Sequence, residues 1–214
     1  MCRLLLVRSD NEFNIKDYLE KFSEISRNSK EFQGHGWGCS YLNEAEGNEW
    51  KHYKDISPVW VDDLSKFGKT KLLIAHARSA FKDEGIVIEN NMPFYDDKYV
   101  FVFNGELRGV KINSEGRIGA EKIFNYIKRF DKGNFSEALK KGTEIIDKKT
   151  SFIRAMNIIM CSKENVCVYS KFNEDPDYFT MYYKNENNTL VISSMPLQGI
   201  DSMIKVENNS LNKF

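Results

Sequence analysis

The chain has no long apolar run. Its longest apolar stretches, Leu4-Leu5-Leu6-Val7 and residues 155–161, fall far short of the roughly 20 residues a membrane span needs, and nothing in the sequence has the pattern of a signal peptide. The expected location is therefore the cytoplasm, with no membrane partner. There is no excess of charge either: Lys plus Arg and Asp plus Glu stand at 31 each, which leaves no net field to gather nucleic acid or an anionic surface. No two of the four cysteines, at positions 2, 39, 161 and 167, have the two-residue gap of a zinc knuckle or redox pair, and His35, His52 and His76 are scattered. Neither a metal nor a cofactor is expected. Structural disulfides are not expected in a chain of this size without export signals.

What is present is a globular composition, with 41% hydrophobic residues over 214 positions, enough for a substantial core. No repeat, low-complexity tract or linker interrupts it, so one domain over residues 1–214 is expected. Residues 3–8 read as a buried strand, and residues 14–27 carry the helical stripe Ile15, Tyr18, Leu19, Phe22, Ile25. Gly34-His35-Gly36-Trp37-Gly38 reads as a glycine-dense turn into a hairpin with strands near 39–42 and 50–53. Residues 72–78 and 98–103 read as strands, the second ending at Asn104-Gly105. Helices are expected over 119–129 and 134–148, the latter opening with the capping pattern Asn134-Phe135-Ser136-Glu137. Strands are expected over 152–161, 165–171, 178–184 and 189–194, and a polar, fraying tail over 206–214.

Cysteine at position 2 is the most informative single residue. Removal of Met1 would give Cys2 both a thiol and a free α-amine, and an α-amine titrating near pH ~8 can take the thiol proton and later return one to a leaving group. Taken alone, Cys2 also fits a small buried residue opening a strand. Attack on a carboxamide needs oxyanion donors, a substrate clamp and close backbone approach. Asn104-Gly105 offers a side-chain amide and a backbone N–H, although Asn-Gly is also a common hairpin turn. Arg78, closing an otherwise apolar strand, suits a bidentate carboxylate clamp or an ordinary surface ion pair.

Five motifs arrive in one order: Met-Cys-Arg-Leu-Leu at 1–5, Gly-His-Gly-Trp-Gly at 34–38, Ala-His-Ala-Arg at 75–78, Asn-x-x-Pro-Phe at 90–94 and Phe-Asn-Gly-Glu-Leu at 103–107. That order resembles the class II glutamine amidotransferases, in particular their short stand-alone branch, and Ile192-Ser193-Ser194-Met195-Pro196-Leu197 resembles the family's late strand and turn. The resemblance implies an α+β fold, the four-layer αββα sandwich of N-terminal nucleophile hydrolases. It implies Cys2 as nucleophile with its α-amine as base, and Asn104 with Gly105 as the oxyanion hole. Arg78 would bind the substrate α-carboxylate, and Trp37, Gly38 and His76 would line the substrate site. The implied reaction is hydrolysis of a γ-glutamyl amide through a thioester, with a small-molecule substrate and an ammonia-accepting partner subunit where the ammonia is used. A non-catalytic domain that binds a metabolite or partner is the alternative.

Three positions depart from the family pattern. Gly119 stands where members place an aspartate for the substrate's α-amine, and the nearby acids are Asp83, Glu106, Glu115 and Glu121. Met92 replaces a histidine before Pro-Phe. Residues 79–85 occupy the position of a loop that closes over bound glutamine, with a diverged sequence that keeps Gly85. The missing acid points toward a substrate other than free glutamine.

Overall fold

The computed structural model describes all 214 residues except for the side chain of Glu44. In chain order the elements are β1 (Arg3–Asn14), α1 (Ile15–Arg27), β2 (Trp37–Asn43), β3 (Glu49–Asp55), β4 (Lys69–Ala77), β5 (Phe94–Tyr95), β6 (Val100–Val110), α2 (Gly119–Lys128) and α3 (Phe135–Lys148). They continue as β7 (Thr150–Cys161), β8 (Val166–Ser170), α4 (Pro176–Phe179), β9 (Tyr182–Glu186), β10 (Thr189–Ser193), β11 (Ile204–Lys205) and β12 (Ser210–Lys213). Short 3₁₀ turns lie between several of them.

The strands form two antiparallel sheets, one in the order β11-β9-β10-β1-β4-β2-β3 and one in the order β12-β8-β7-β6-β5. Period-two alternation decides what each face meets. On β1 and β4, Leu5, Val7, Leu73 and Ala75 point outward and bury Ile15, Leu19, Phe22 and Ile25 of α1. Each of the Leu, Val, Ile and Phe side chains among them contributes roughly 1.5–3 kcal/mol by leaving water. Leu4, Leu6, Leu72 and Ile74 point the other way, into the core shared with the second sheet. On β6, Phe101 stacks on Phe124 of α2, with ring centroids 5.1 Å apart, and so faces the helices. Val100, Val102 and Asn104 therefore face the first sheet. The result is the αββα sandwich: α1, two sheets, then α2 and α3. Among the described residues no helix is long and apolar enough to cross a membrane.

Most expected elements are present, with four differences. Strand β6 does not stop at Asn104-Gly105 but runs on to Val110, paired with β7 throughout and kinked by a register shift after Glu106. Asn-Gly is thus interior to a strand and not a hairpin turn. Strand β1 extends to Asn14, beyond its apolar half, because β4 continues to pair with it through Asn14↔Lys69. Residues 176–179 form a helical turn begun by Pro176, where a strand was expected from Tyr178. The polar tail is held: β12 pairs with β8, and the Phe214 ring lies 5.0 Å from that of Tyr183.

Candidate active site

Ser194 fixes the start of β1. Its Oγ accepts from the Leu4 N–H at 2.9 Å, its own N–H donates to the Leu4 carbonyl at 3.0 Å, and its carbonyl accepts from Arg3 Nη1 at 3.0 Å. Arg3 is buried, stacks on the Tyr178 ring at 4.3 Å and donates through Nε to Ser29 Oγ at 3.2 Å. No carboxylate forms an ion pair with it among the described residues. Cys2 follows from this anchoring. Its thiol lies 3.8 Å from the Ser79 carbonyl, and burial pushes its pKa up, opposed by the N-terminal ammonium, the Ser79 contact and Arg78.

Met1 occupies a shaped cradle beside Cys2. Its ammonium pairs with Glu31, and its carbonyl accepts from Gln33 Nε2 at 2.5 Å and from the Tyr178 hydroxyl at 2.6 Å. Its side chain packs against the apolar group of Ala155, Tyr178 and Phe179. Arg154 reaches Glu31 at 3.3 Å and Glu106 at 3.7 Å and pairs with Asp175. Sequence reasoning did not single out Glu31, Gln33, Tyr178 or Arg154 as site residues. They lie in different segments, and no local spacing marks them.

Arg78 follows β4 directly, its N–H donating to the Gly36 carbonyl at 2.9 Å and Nη1 to Asn91 Oδ1 at 3.4 Å. It is largely buried and pairs with no carboxylate among the described residues, and Cys2 and Arg78 feel each other electrostatically. The register row Leu4, His76, Gly38, Lys54 runs across four strands on the inner face. His76 is fully buried, both ring nitrogens lack a partner, and burial with Arg78 nearby pushes its pKa down to about 3. The imidazole is therefore neutral near pH 7. Gly38 is required by close packing: a Cβ there would lie 2.6 Å from the Met92 carbonyl oxygen. Trp37, one residue on, points to the opposite face. Its indole sits in the outer cluster with α1, donates to Asp62 at 3.0 Å and packs on Tyr53 and Phe67. Trp37 was expected to line the substrate site; its side chain turns to the outer face, and its backbone borders the inner one.

Asn104 is fully buried on the inner face, and both its amide nitrogen and its oxygen lack partners. An unpaired buried amide costs on the order of 1–3 kcal/mol, so its presence calls for a functional account. Gly105 admits no side chain, because a Cβ would meet the Ala155 carbonyl oxygen at 2.1 Å. Ala155 also belongs to the apolar group against which Met1 packs.

A Cβ at Gly119 would have nothing within 4 Å, so the start of α2 has open space where an acid would stand. Neighbouring acids are engaged or exposed: Glu121 is bound by Arg117, Glu106 by Arg108 and Arg154, and Asp83 is solvent-exposed beside His35. A cleft of about 470 Å³ opens by α2, lined by His52, Lys54, Phe94, Arg117, Glu121 and others. Burial, with Arg117 nearby, lowers the pKa of Lys54 to about 8. Lys54, Arg117 and Lys128 share this cleft with Glu89 and Glu121, so its lining carries charge of both signs.

The architecture defines a fold class: the chain has the fold of class II glutamine amidotransferase domains, the N-terminal nucleophile sandwich. Among solved structures it is similar to the glutamine phosphoribosylpyrophosphate amidotransferase of B. subtilis, complexed with ADP and GMP, at TM-score 0.65 and 13% identity, covering 100% of this chain and 49% of that one. It thus spans about half the length of that enzyme. It is also similar to a glutamine aminotransferase class-II domain protein from Silicibacter pomeroyi (TM-score 0.63, 13% identity, 99% and 94% covered). A predicted glutamine amidotransferase from Pseudomonas aeruginosa is a third such structure (TM-score 0.64, 14% identity, 100% and 97% covered). No family model and no curated relative matches the sequence.

Proposed function

We propose that this protein is an amidohydrolase of the class II amidotransferase type, cleaving the γ-carboxamide of glutamine or a γ-glutamyl compound through a thioester on Cys2. The observation that carries the reading is the buried, unpartnered Asn104 amide on the inner face, beside the side-chain-free Gly105. With Cys2 as first residue, its α-amine takes the thiol proton and the thiolate attacks the γ-carbonyl. The oxyanion is held by Asn104 Nδ2 and the Gly105 N–H. The leaving amine receives the proton from the α-ammonium, and water then releases glutamate. Arg78, buried without a carboxylate partner, clamps the α-carboxylate. All 214 residues act in this reading as one catalytic domain. Where glutamine is the substrate, a partner subunit receives the ammonia.

The test is the intact mass of the protein before and after a diazo-ketone analogue of glutamine. Loss of Met1 with one covalent adduct, absent in Cys2→Ala, is the expected result. A protein that retains Met1 and takes no adduct refutes the reading. That outcome would favour the alternative, a non-catalytic binding domain, for which the observation in favour is the complete set of contacts around Met1.

A further inference from the structure

The Met1 cradle recognises every part of one residue: Glu31 takes the ammonium, Gln33 and Tyr178 take the carbonyl, and Ala155, Tyr178 and Phe179 take the apolar side chain. Gln33 is wholly buried, and its Oε1 has no partner. Arg154 ties Glu31 to Glu106, next to the proposed oxyanion donors. Because the Met1 carbonyl carbon is bonded to the Cys2 nitrogen, the Met1 nitrogen lies one residue's backbone from the atom that must protonate a leaving amine.

We propose that, once Cys2 is the N-terminus, this cradle is the leaving-group subsite for an apolar α-amino acid, which makes γ-glutamyl-amino acids with apolar side chains the preferred substrate class. This rests on the amidohydrolase reading above. The amino acid sits as Met1 does, shifted outward by the difference between a covalent bond and a hydrogen-bonded contact. Its nitrogen, an uncharged amide N–H until the C–N bond breaks and an amine afterwards, donates to Glu31, its carboxylate meets Gln33 Nε2 and the Tyr178 hydroxyl, and its side chain meets the apolar group of Ala155, Tyr178 and Phe179. Arg3, buried against the Tyr178 ring without a carboxylate of its own, supplies a positive charge behind that carboxylate. Attack forms the S–C bond and breaks the C–N bond. The nitrogen takes a proton from the Cys2 α-ammonium, and the amino acid departs. Water then cleaves the thioester, giving glutamate and regenerating the thiol. Ammonia leaving from glutamine would use none of the apolar wall.

The test uses protein whose mass shows that Met1 is absent, and measures kcat/KM by glutamate release for glutamine, γ-glutamyl-methionine and γ-glutamyl-aspartate. The expected result is at least a tenfold preference for γ-glutamyl-methionine over both others. Tyr178→Phe, which keeps the ring against Ala155 and Phe179, lowers the ratio of γ-glutamyl-methionine to glutamine turnover at least threefold. Equal turnover of the three substrates, or a ratio unmoved by Tyr178→Phe, overturns the subsite and leaves the amidohydrolase standing. Failure of every γ-glutamyl compound to acylate Cys2 overturns both.

Discussion

The two faces of β4 share one backbone and serve opposite ends. Outward, Leu73, Ala75 and Ala77 enter an apolar cluster with α1, where even the Trp37 indole N–H has a partner in Asp62. Inward, Ile74 belongs to the inter-sheet core, but His76 next to it is buried with both nitrogens unpaired, and Arg78 follows without a carboxylate. Asn104, on the facing sheet, is likewise unpaired. The outer face is arranged for stability, while the inner end carries uncompensated polar groups, which the proposed reaction would put to use.

Changes at the inner end should therefore affect chemistry far more than folding. The largest effect is expected from Cys2→Ala: loss of all thioester formation, with stability altered by less than about 1 kcal/mol, since the thiol makes one weak contact at 3.8 Å. Residual acylation by mass spectrometry would place the nucleophile elsewhere. Next, Asn104→Leu should lower kcat about a hundredfold or more while leaving stability equal or raised, because it removes a buried amide without partners. The outer-face counterpart, Leu73→Ala, should cost about 2–5 kcal/mol with kcat/KM unchanged below its melting temperature. If denaturation and kinetics assign the two variants the opposite way, the contrast between the faces is wrong.

A smaller effect distinguishes His76. Its folded pKa of about 3 lies below the ordinary value of 6.5, so above pH 6.5 its titration adds nothing to the pH dependence. As pH falls from 6.5 toward 3, the unfolded chain binds the proton and the folded chain does not. Stability is therefore lost at up to about 1.4 kcal/mol per pH unit. His76→Gln should flatten this limb relative to the parent protein in urea titrations between pH 6.5 and 4, and identical slopes would contradict a neutral buried imidazole. The smallest effect is expected from Gly119→Asp, which fits into open space at the start of α2. It should lower KM for free glutamine a few-fold, and an unchanged KM would show that α2 does not face the substrate amine.

Much of this was legible in the chain. The stripe Ile15, Leu19, Phe22, Ile25 and the alternation along β1 and β4 announce the outer layer and its sheet, because helix and strand periods are local properties. The order of short motifs brought Cys2, Arg78, Asn104 and Gly105 to notice. The outward turn of the Trp37 side chain was not legible, because one residue of alternation separates it from the inner-facing Gly38. The strand-interior position of Asn104-Gly105 was hidden because the dipeptide is locally a good turn, and only pairing with β7 carries the strand through it.

The sequence by itself determined the helices and strands, which depend on periodicity at short range, and its motif order pointed to the layers and to the candidate reacting groups through a family resemblance. The cradle around Met1 was decided only by tertiary structure. Glu31, Gln33 and Tyr178 meet Met1 across separations of 30, 32 and 177 residues. Such contacts follow from how two sheets close on each other, and no local pattern in the chain encodes that closure.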